Sequence, residues 1–175
     1  MINYLSDRTV YLAGPMFAAS DDGVGWRQVV TPTLQVQFNL HVEDPSKKTV
    51  SGVGEIGTDK DNFKKLILSE KWVELKRDFY PIVRKDLRCV DRSDFLIVVY
   101  DPCVHMFGTI HEIVLASQQK KPILIKYEKK DLDSFNPWVT CLVKPQWLFS
   151  EWDDMFSYLY KINDGKIETS HWGLD

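Results

Sequence analysis

Cysteine is scarce, with Cys89, Cys103 and Cys141 odd in number and scattered through 175 residues. They match neither the paired framework of a disulfide-stapled secreted domain nor the ligand spacing of a zinc site, so a reducing, cytoplasmic setting without a metal is expected. An excess of charge of one sign is also missing. Lys and Arg number 22 against 25 Asp and Glu, for a formal net charge of -3 and a pI near 5.8. Without a broad positive field, binding to a nucleic acid polymer has little electrostatic support, whereas a small ligand remains open. No window approaches the roughly 20 apolar residues that span a bilayer. The stretch Met1 to Asp7 lacks the basic-then-apolar pattern of a secretory leader, so neither membrane insertion nor standard secretion is expected. A P-loop, a dinucleotide-binding glycine fingerprint and a serine nucleophile elbow are absent, which removes support for nucleoside-triphosphate hydrolysis and hydride transfer. His111-Glu112 lacks the second histidine of a zinc-protease helix, and His105 and His111 make no metal set with the cysteines.

What is present fits one globular domain spanning 1–175, long enough to bury about two-thirds of its unfolded surface. Hydrophobic residues make up 44% and aromatic residues 13%, with six Trp as material for a stacking pocket. Thr9 to Ala13 reads as a buried strand stopped by Gly14-Pro15. Apolar residues at Trp26, Val29, Val30, Leu34 and Phe38 give a helix over about 24–38, which Pro32 should kink or divide near Thr31. Asn39 to Val42 is a second short strand closed by Glu43-Asp44-Pro45. The stretch Ser46 to Asp61, rich in Gly, Ser, Thr and charge, lacks apolar periodicity and is expected to form a mobile excursion. Phe63 to Val90 reads as helix, divided around Pro81, with Phe79, Ile82, Val83, Leu87 and Val90 as its apolar stripe. Phe95 to Tyr100 (FLIVVY) has the unalternating composition of a central parallel strand covered on both faces. A helix over 109–119, a strand over 122–127, an edge strand over 147–149 and a closing helix over 152–162 complete a β-α-β order. That order implies an α/β fold with helices on both sides of a parallel sheet.

Open parallel sheets bind ligands beyond the carboxyl ends of their strands, where strand order reverses. The loops from Gly14 to Asp22, after Glu43, and from Asp101 to Gly108 lie at such ends. Thr109 and Glu112 stand three apart and match a capping box, each side chain satisfying backbone N–H groups of a helix start. The same Glu112 could instead face the crevice as an ionised carboxylate able to attack an anomeric carbon, with Gly108 allowing close ligand approach. Asp86, eight residues before Asp94, falls about two helical turns higher, toward the same crevice. Its alternative is a solvated helix position. Asp94 itself belongs at the amino end of the central strand, in a turn or cap. Asp101 is at the correct end but precedes Pro102 as a turn former would. Arg27 and Trp26 could hold phosphate or stack on a base, or simply pack as helix residues.

Three pieces line up in order: Tyr11-Leu12-Ala13-Gly14-Pro15, then Asp86 followed eight later by Asp94, then Phe107-Gly108-Thr109 with Glu112, Ala116 and Lys121-Pro122. This set resembles the nucleoside 2-deoxyribosyltransferase family over about Thr9 to Tyr127, with about 46–72 as an insertion. The resemblance implies a flavodoxin-like, doubly wound parallel sheet of about five strands. It makes Glu112 the nucleophile of a covalent 2-deoxyribosyl intermediate, and retention follows from two displacements. Asp86 matches the helix carboxylate that orients or protonates the leaving base. Tyr11, Gly14, Pro15 and Met16 fall in the substrate-binding first loop. No cofactor is implied, the partners are a deoxyribonucleoside and a free nucleobase, and a homo-oligomer is expected by analogy. The sequence departs from the family's pattern at Met106, where transferases carry another Asp; Asp101 is the residue that could substitute. A related branch that hydrolyses nucleoside 5'-monophosphates also lacks that Asp and holds phosphate near the first loop and the nucleophile, which makes Arg27 and Thr109 candidate phosphate contacts. Transfer is the leading expectation, monophosphate hydrolysis the alternative, and a non-catalytic nucleotide-binding module the third.

Overall fold

The computed structural model describes residues 3–47, 52–54, 56–167 and 170–172. Five strands, β1 (Thr9–Ala13), β2 (His41–Glu43), β3 (Phe95–Tyr100), β4 (Ile123–Tyr127) and β5 (Leu148–Phe149), form one sheet in the order β2-β1-β3-β4-β5. Every neighbouring pair is parallel, with Val10 beside Phe95, Leu96 beside Ile123 and Ile125 beside Leu148. This is the doubly wound, flavodoxin-like order. The helices are α1 (Val24–Phe38), α2 (Gly57–Leu68), α3 (Trp72–Arg92), α4 (Phe107–Gln118), α5 (Pro137–Leu142) and α6 (Trp152–Asn163).

Alternation along the strands divides the core into two layers, because successive side chains point to opposite faces. Val10, Leu12, Phe95, Ile97 and Leu124 pack with Val30, Leu34 and Phe38 of α1 and Met155, Leu159 and Ile162 of α6. Tyr11, Ala13, Leu96, Val98 and Ile125 pack with Val90 of α3, Ile113 and Ala116 of α4 and Val139 of α5. Burial on both faces is why FLIVVY shows no polar alternation. One consequence reaches the site: Tyr11 points to the face carrying α3 and α4.

Two proline expectations are corrected. α1 continues through Pro32 and α3 through Pro81. Both prolines are exposed, as are Gln28 and Arg77 four residues earlier, so the carbonyls deprived of an N–H partner lie on the solvent side of the helix. The long helical stretch divides instead between α2 and α3, where Glu70 takes a left-handed backbone with φ of 53°. The excursion is corrected as well, since α2 begins at Gly57 and buries Phe63 to 3% exposure. Residues 48–51 and 55 of that stretch lie outside the described residues.

Candidate functional site

The strand order reverses between β1 and β3, and the loops leaving their carboxyl ends part there. A cleft of about 750 Å³ opens at this point, a size typical of small-molecule sites. Its walls are the first loop from Gly14 to Ser20, Pro45 after β2, one side of α2, the middle of α3 and the segment from His105 into α4. Glu112, Asp86 and Tyr11 all line it.

Glu112 is not a cap. α4 starts at Phe107 with Met106 at the N-cap position and no side-chain cap, which places Glu112 in the second turn and Thr109 within the first. The capping-box alternative is therefore corrected. Glu112 sits on the buried stripe of α4 with Thr109, Ile113 and Ala116, at 8% exposure. The Tyr11 hydroxyl donates to Glu112 Oε1 at 2.7 Å. Burial first, and then the charges of Glu112 and Asp86, push the Tyr11 phenol well above its ordinary value. It is thus held neutral, as a donor toward the carboxylate.

Asp86 also occupies an apolar-stripe position, among Ile82, Cys89 and Val90 on the buried side of α3. It is 8% exposed, with Lys85 Nζ 3.8 Å from Oδ1. Met106 is buried against the cleft, and its sulfur accepts the Asp101 N–H at 3.3 Å. Its thioether therefore forms part of the cleft wall. Gly108 lines the cleft, and a Cβ built there would meet no protein atom within 4 Å.

Other expected contacts fall elsewhere. Arg27 is 0% exposed and does not line the cleft; its guanidinium donates to the Leu12, Gly14 and Gly23 carbonyls. The expectation that Arg27 contacts phosphate is corrected, because those carbonyls occupy its donors. Trp26 packs beneath the first loop, where a Cβ on Gly14 would lie 3.1 Å from its ring, and stacks on Trp152. Trp26 and Asp101 border a smaller recess of about 200 Å³ beside the main cleft. The Asp101 carboxylate accepts the Cys103 N–H at 2.9 Å, as a turn former. Among the described residues no three His, Cys, Asp or Glu side chains gather as a metal site, and no helix is long and apolar enough to cross a membrane.

The sequence reading missed α2 as a wall of the cleft. Lys60 Nζ reaches Asp22 Oδ1 at 2.6 Å and the Ala19 carbonyl at 3.0 Å, and Gly57 N–H donates to Asp22 Oδ2. Phe63 meets Phe79 edge-on at 4.9 Å. Lys64 and Phe17 also line the cleft, the ammonium 5.9 Å from the ring centre. Phe63, Lys64 and Ile67 fall in the stretch read as helix, and Lys60 continues their spacing backward, a signal that the Gly- and Ser-rich residues before it obscured.

Acid should loosen this wall. The Lys60 hydrogen bond and the Gly57 N–H hold the Asp22 carboxyl below its ordinary value. The Gly25 and Gly23 N–H groups do the same for Asp21. A depressed carboxyl contributes stability that is present above its unfolded pKa, near 4, and lost as pH falls through the lower folded value. Asp22→Asn is therefore expected to melt below the wild type at pH 7. Thermal scans should show that gap closing below about pH 4; a gap independent of pH would contradict the linkage.

No protein-family model matches the chain, and no curated protein matches its sequence. Solved structures do. A 2-deoxyribosyltransferase from Bacillus psychrosaccharolyticus superposes with a TM-score of 0.57 at 16% identity, covering 86% of this chain and 95% of that one. A conserved protein from Enterococcus faecalis V583 superposes with a TM-score of 0.58 at 18% identity, over 90% and 99%. The resemblance read from the motifs thus returns as a three-dimensional likeness to a 2-deoxyribosyltransferase, and at these identities what the chain shares with both proteins is the fold.

Proposed function

We propose that the cleft cleaves the N-glycosidic bond of a 2'-deoxyribonucleoside and transfers the sugar to another base. The observation that carries this reading is the 2.7 Å hydrogen bond from Tyr11 to Glu112, in a cleft that also presents Asp86. A carboxylate held by a neutral phenol is positioned as a nucleophile, and a second carboxyl on the facing helix can serve the leaving group. The fold shared with a 2-deoxyribosyltransferase supports the same chemistry.

In the first displacement a Glu112 oxygen forms a bond to the anomeric carbon as the carbon–nitrogen bond breaks. Its electron pair goes to the base, which takes a proton from the Asp86 carboxyl. The oxocarbenium character of the transition state is stabilised by the adjacent negative charge. An incoming base then attacks the same carbon and gives its N–H proton to the Asp86 carboxylate, Glu112 departs as carboxylate, and configuration is retained. Met106, Phe17 and Phe79 offer the base apolar surface, with stacking in place of the missing carboxylate.

One observation favours a second reading. Lys64, beside a Lys60 that is already paired with Asp22, puts positive charge on the α2 wall of a cleft whose acids come from α3 and α4, an arrangement that would suit a 5'-phosphate and thus hydrolysis of a nucleoside monophosphate. Incubation with a deoxynucleoside plus a second free base, and separately with the monophosphate, distinguishes these outcomes by chromatography. Transfer yields a new nucleoside. Release of base and sugar phosphate from the monophosphate alone supports the second reading, and cleavage of neither contradicts both.

A further inference from the structure

We infer that Arg27 is a positioning residue that closes the first loop into the wall of the cleft, with Asp44 as its partner. The loop leaves β1 after Ala13 and enters α1 at Val24, and the arginine grips both of its ends. Nε and Nη2 donate to the Leu12 carbonyl at 3.3 and 3.2 Å, and Nη2 also donates to the Gly14 carbonyl at 3.1 Å. Nη1 donates to the Gly23 carbonyl at 2.5 Å. A planar fork of five N–H donors suits this task, since one rigid group can span carbonyls on two separate backbone segments.

The guanidinium is fully buried and lies 4.6 Å from the centre of the Trp26 ring. Its Nε is 3.7 Å from Asp44 Oδ1, and Asp44 is 3% exposed. Burying this charge is costly unless it is paired and hydrogen-bonded, and here both conditions are met. Asp44 immediately precedes Pro45, which lines the cleft. The ion pair thus joins the ends of β1 and β2 to the start of α1, the elements that lead into the cleft wall at Gly14 to Ser20 and at Pro45. Gly23 belongs to the same device. Its φ is 68°, and a Cβ there would lie 2.2 Å from the Pro15 carbonyl oxygen and 2.6 Å from Arg27 Nη1. Only glycine lets the chain turn so close to the guanidinium.

Arg27 reaches the ligand through the loop alone, so its loss should weaken binding more than the chemical step. The test compares wild type with two variants. Arg27→Met combined with Asp44→Leu removes both buried charges together, so that neither is left unpaired. Arg27→Lys keeps a cation near Asp44 without the fork. Three measurements are made: melting temperature, amide hydrogen exchange, and kcat and KM for a deoxynucleoside. In both variants exchange over residues 14–23 should accelerate while residues 95–100 stay protected, and KM should rise about tenfold with kcat changed less than about threefold. Unchanged exchange in 14–23, or a lower melting temperature with unaltered KM, overturns the proposal. If the double variant fails to fold, Arg27→Lys alone decides by the same criteria. The KM measurement rests on the glycosidic reading and the exchange measurement does not. A wild type that turns over no nucleoside would defeat that reading alone, leaving loop exchange to decide the role of Arg27.

Discussion

Glu112→Gln is expected to reduce nucleoside cleavage at least about a thousandfold, equivalent to about 4 kcal/mol of transition-state stabilisation, while the protein remains folded. The amide keeps the volume of the side chain and can still accept the Tyr11 hydroxyl through its carbonyl oxygen. What it loses is the negative charge and the oxygen nucleophile, both required for a bond to the anomeric carbon. Because α4 starts at Phe107 and Glu112 is no cap, the substitution removes no capping interaction. The melting temperature should therefore stay close to that of the wild type. Steady-state kinetics with circular dichroism on the same samples checks both halves, and retained turnover in a folded Glu112→Gln would place the nucleophile elsewhere.

Tyr11→Phe should produce the next largest effect. The ring fills the same space among Leu96, Val98 and Ile113, so the substitution isolates the hydroxyl. A hydrogen bond to a charged group contributes about 1.5 to 3 kcal/mol, which predicts a fall in kcat of about 10- to 150-fold. Alkaline pH provides an independent check. The Tyr11 phenol is raised well above its ordinary value by burial and by Glu112 and Asp86. A raised folded value means that its stabilisation is complete below the unfolded pKa near 10 and is lost as pH rises beyond it. The wild type should lose melting temperature above about pH 10 more steeply than Tyr11→Phe. Parallel curves would show that the buried phenol is not the group responsible.

These two residues also show what the sequence made legible. The central strand could be read from FLIVVY, because burial on both faces leaves an unalternating run that few other arrangements tolerate. Asp86 could be placed by counting helical turns back from Asp94, which sets its height above the sheet; that it lies on the buried stripe of α3 came only from the structure. Glu112 was ambiguous, since Thr109 and Glu112 fit a capping box as well as a site. Only the start of α4, two residues earlier than Thr109, separates the two. The Tyr11 contact joins positions 101 residues apart and has no local signature.

The misreadings share a cause. Proline propensity is a statement about isolated helices, and Pro32 and Pro81 are tolerated because their faces meet solvent, a property of tertiary structure. Arg27 invites a phosphate assignment because arginine often serves that role, yet the groups that occupy it are backbone carbonyls brought near by the loop itself. The start of α2 at Gly57 was hidden by the polar residues around it, and the helix was read as beginning at its buried anchor, Phe63. Its place on the cleft depends on Asp22, more than 30 residues earlier in the chain.

The direct examination of Glu112 is mass spectrometry of the protein quenched during incubation with a deoxynucleoside in the absence of an acceptor base. A gain of one 2-deoxyribosyl group, mapped by peptide fragmentation to Glu112 and absent from Glu112→Gln, is the outcome predicted. Base release without any sugar adduct on the protein, or an adduct on another side chain, would contradict nucleophilic attack by Glu112.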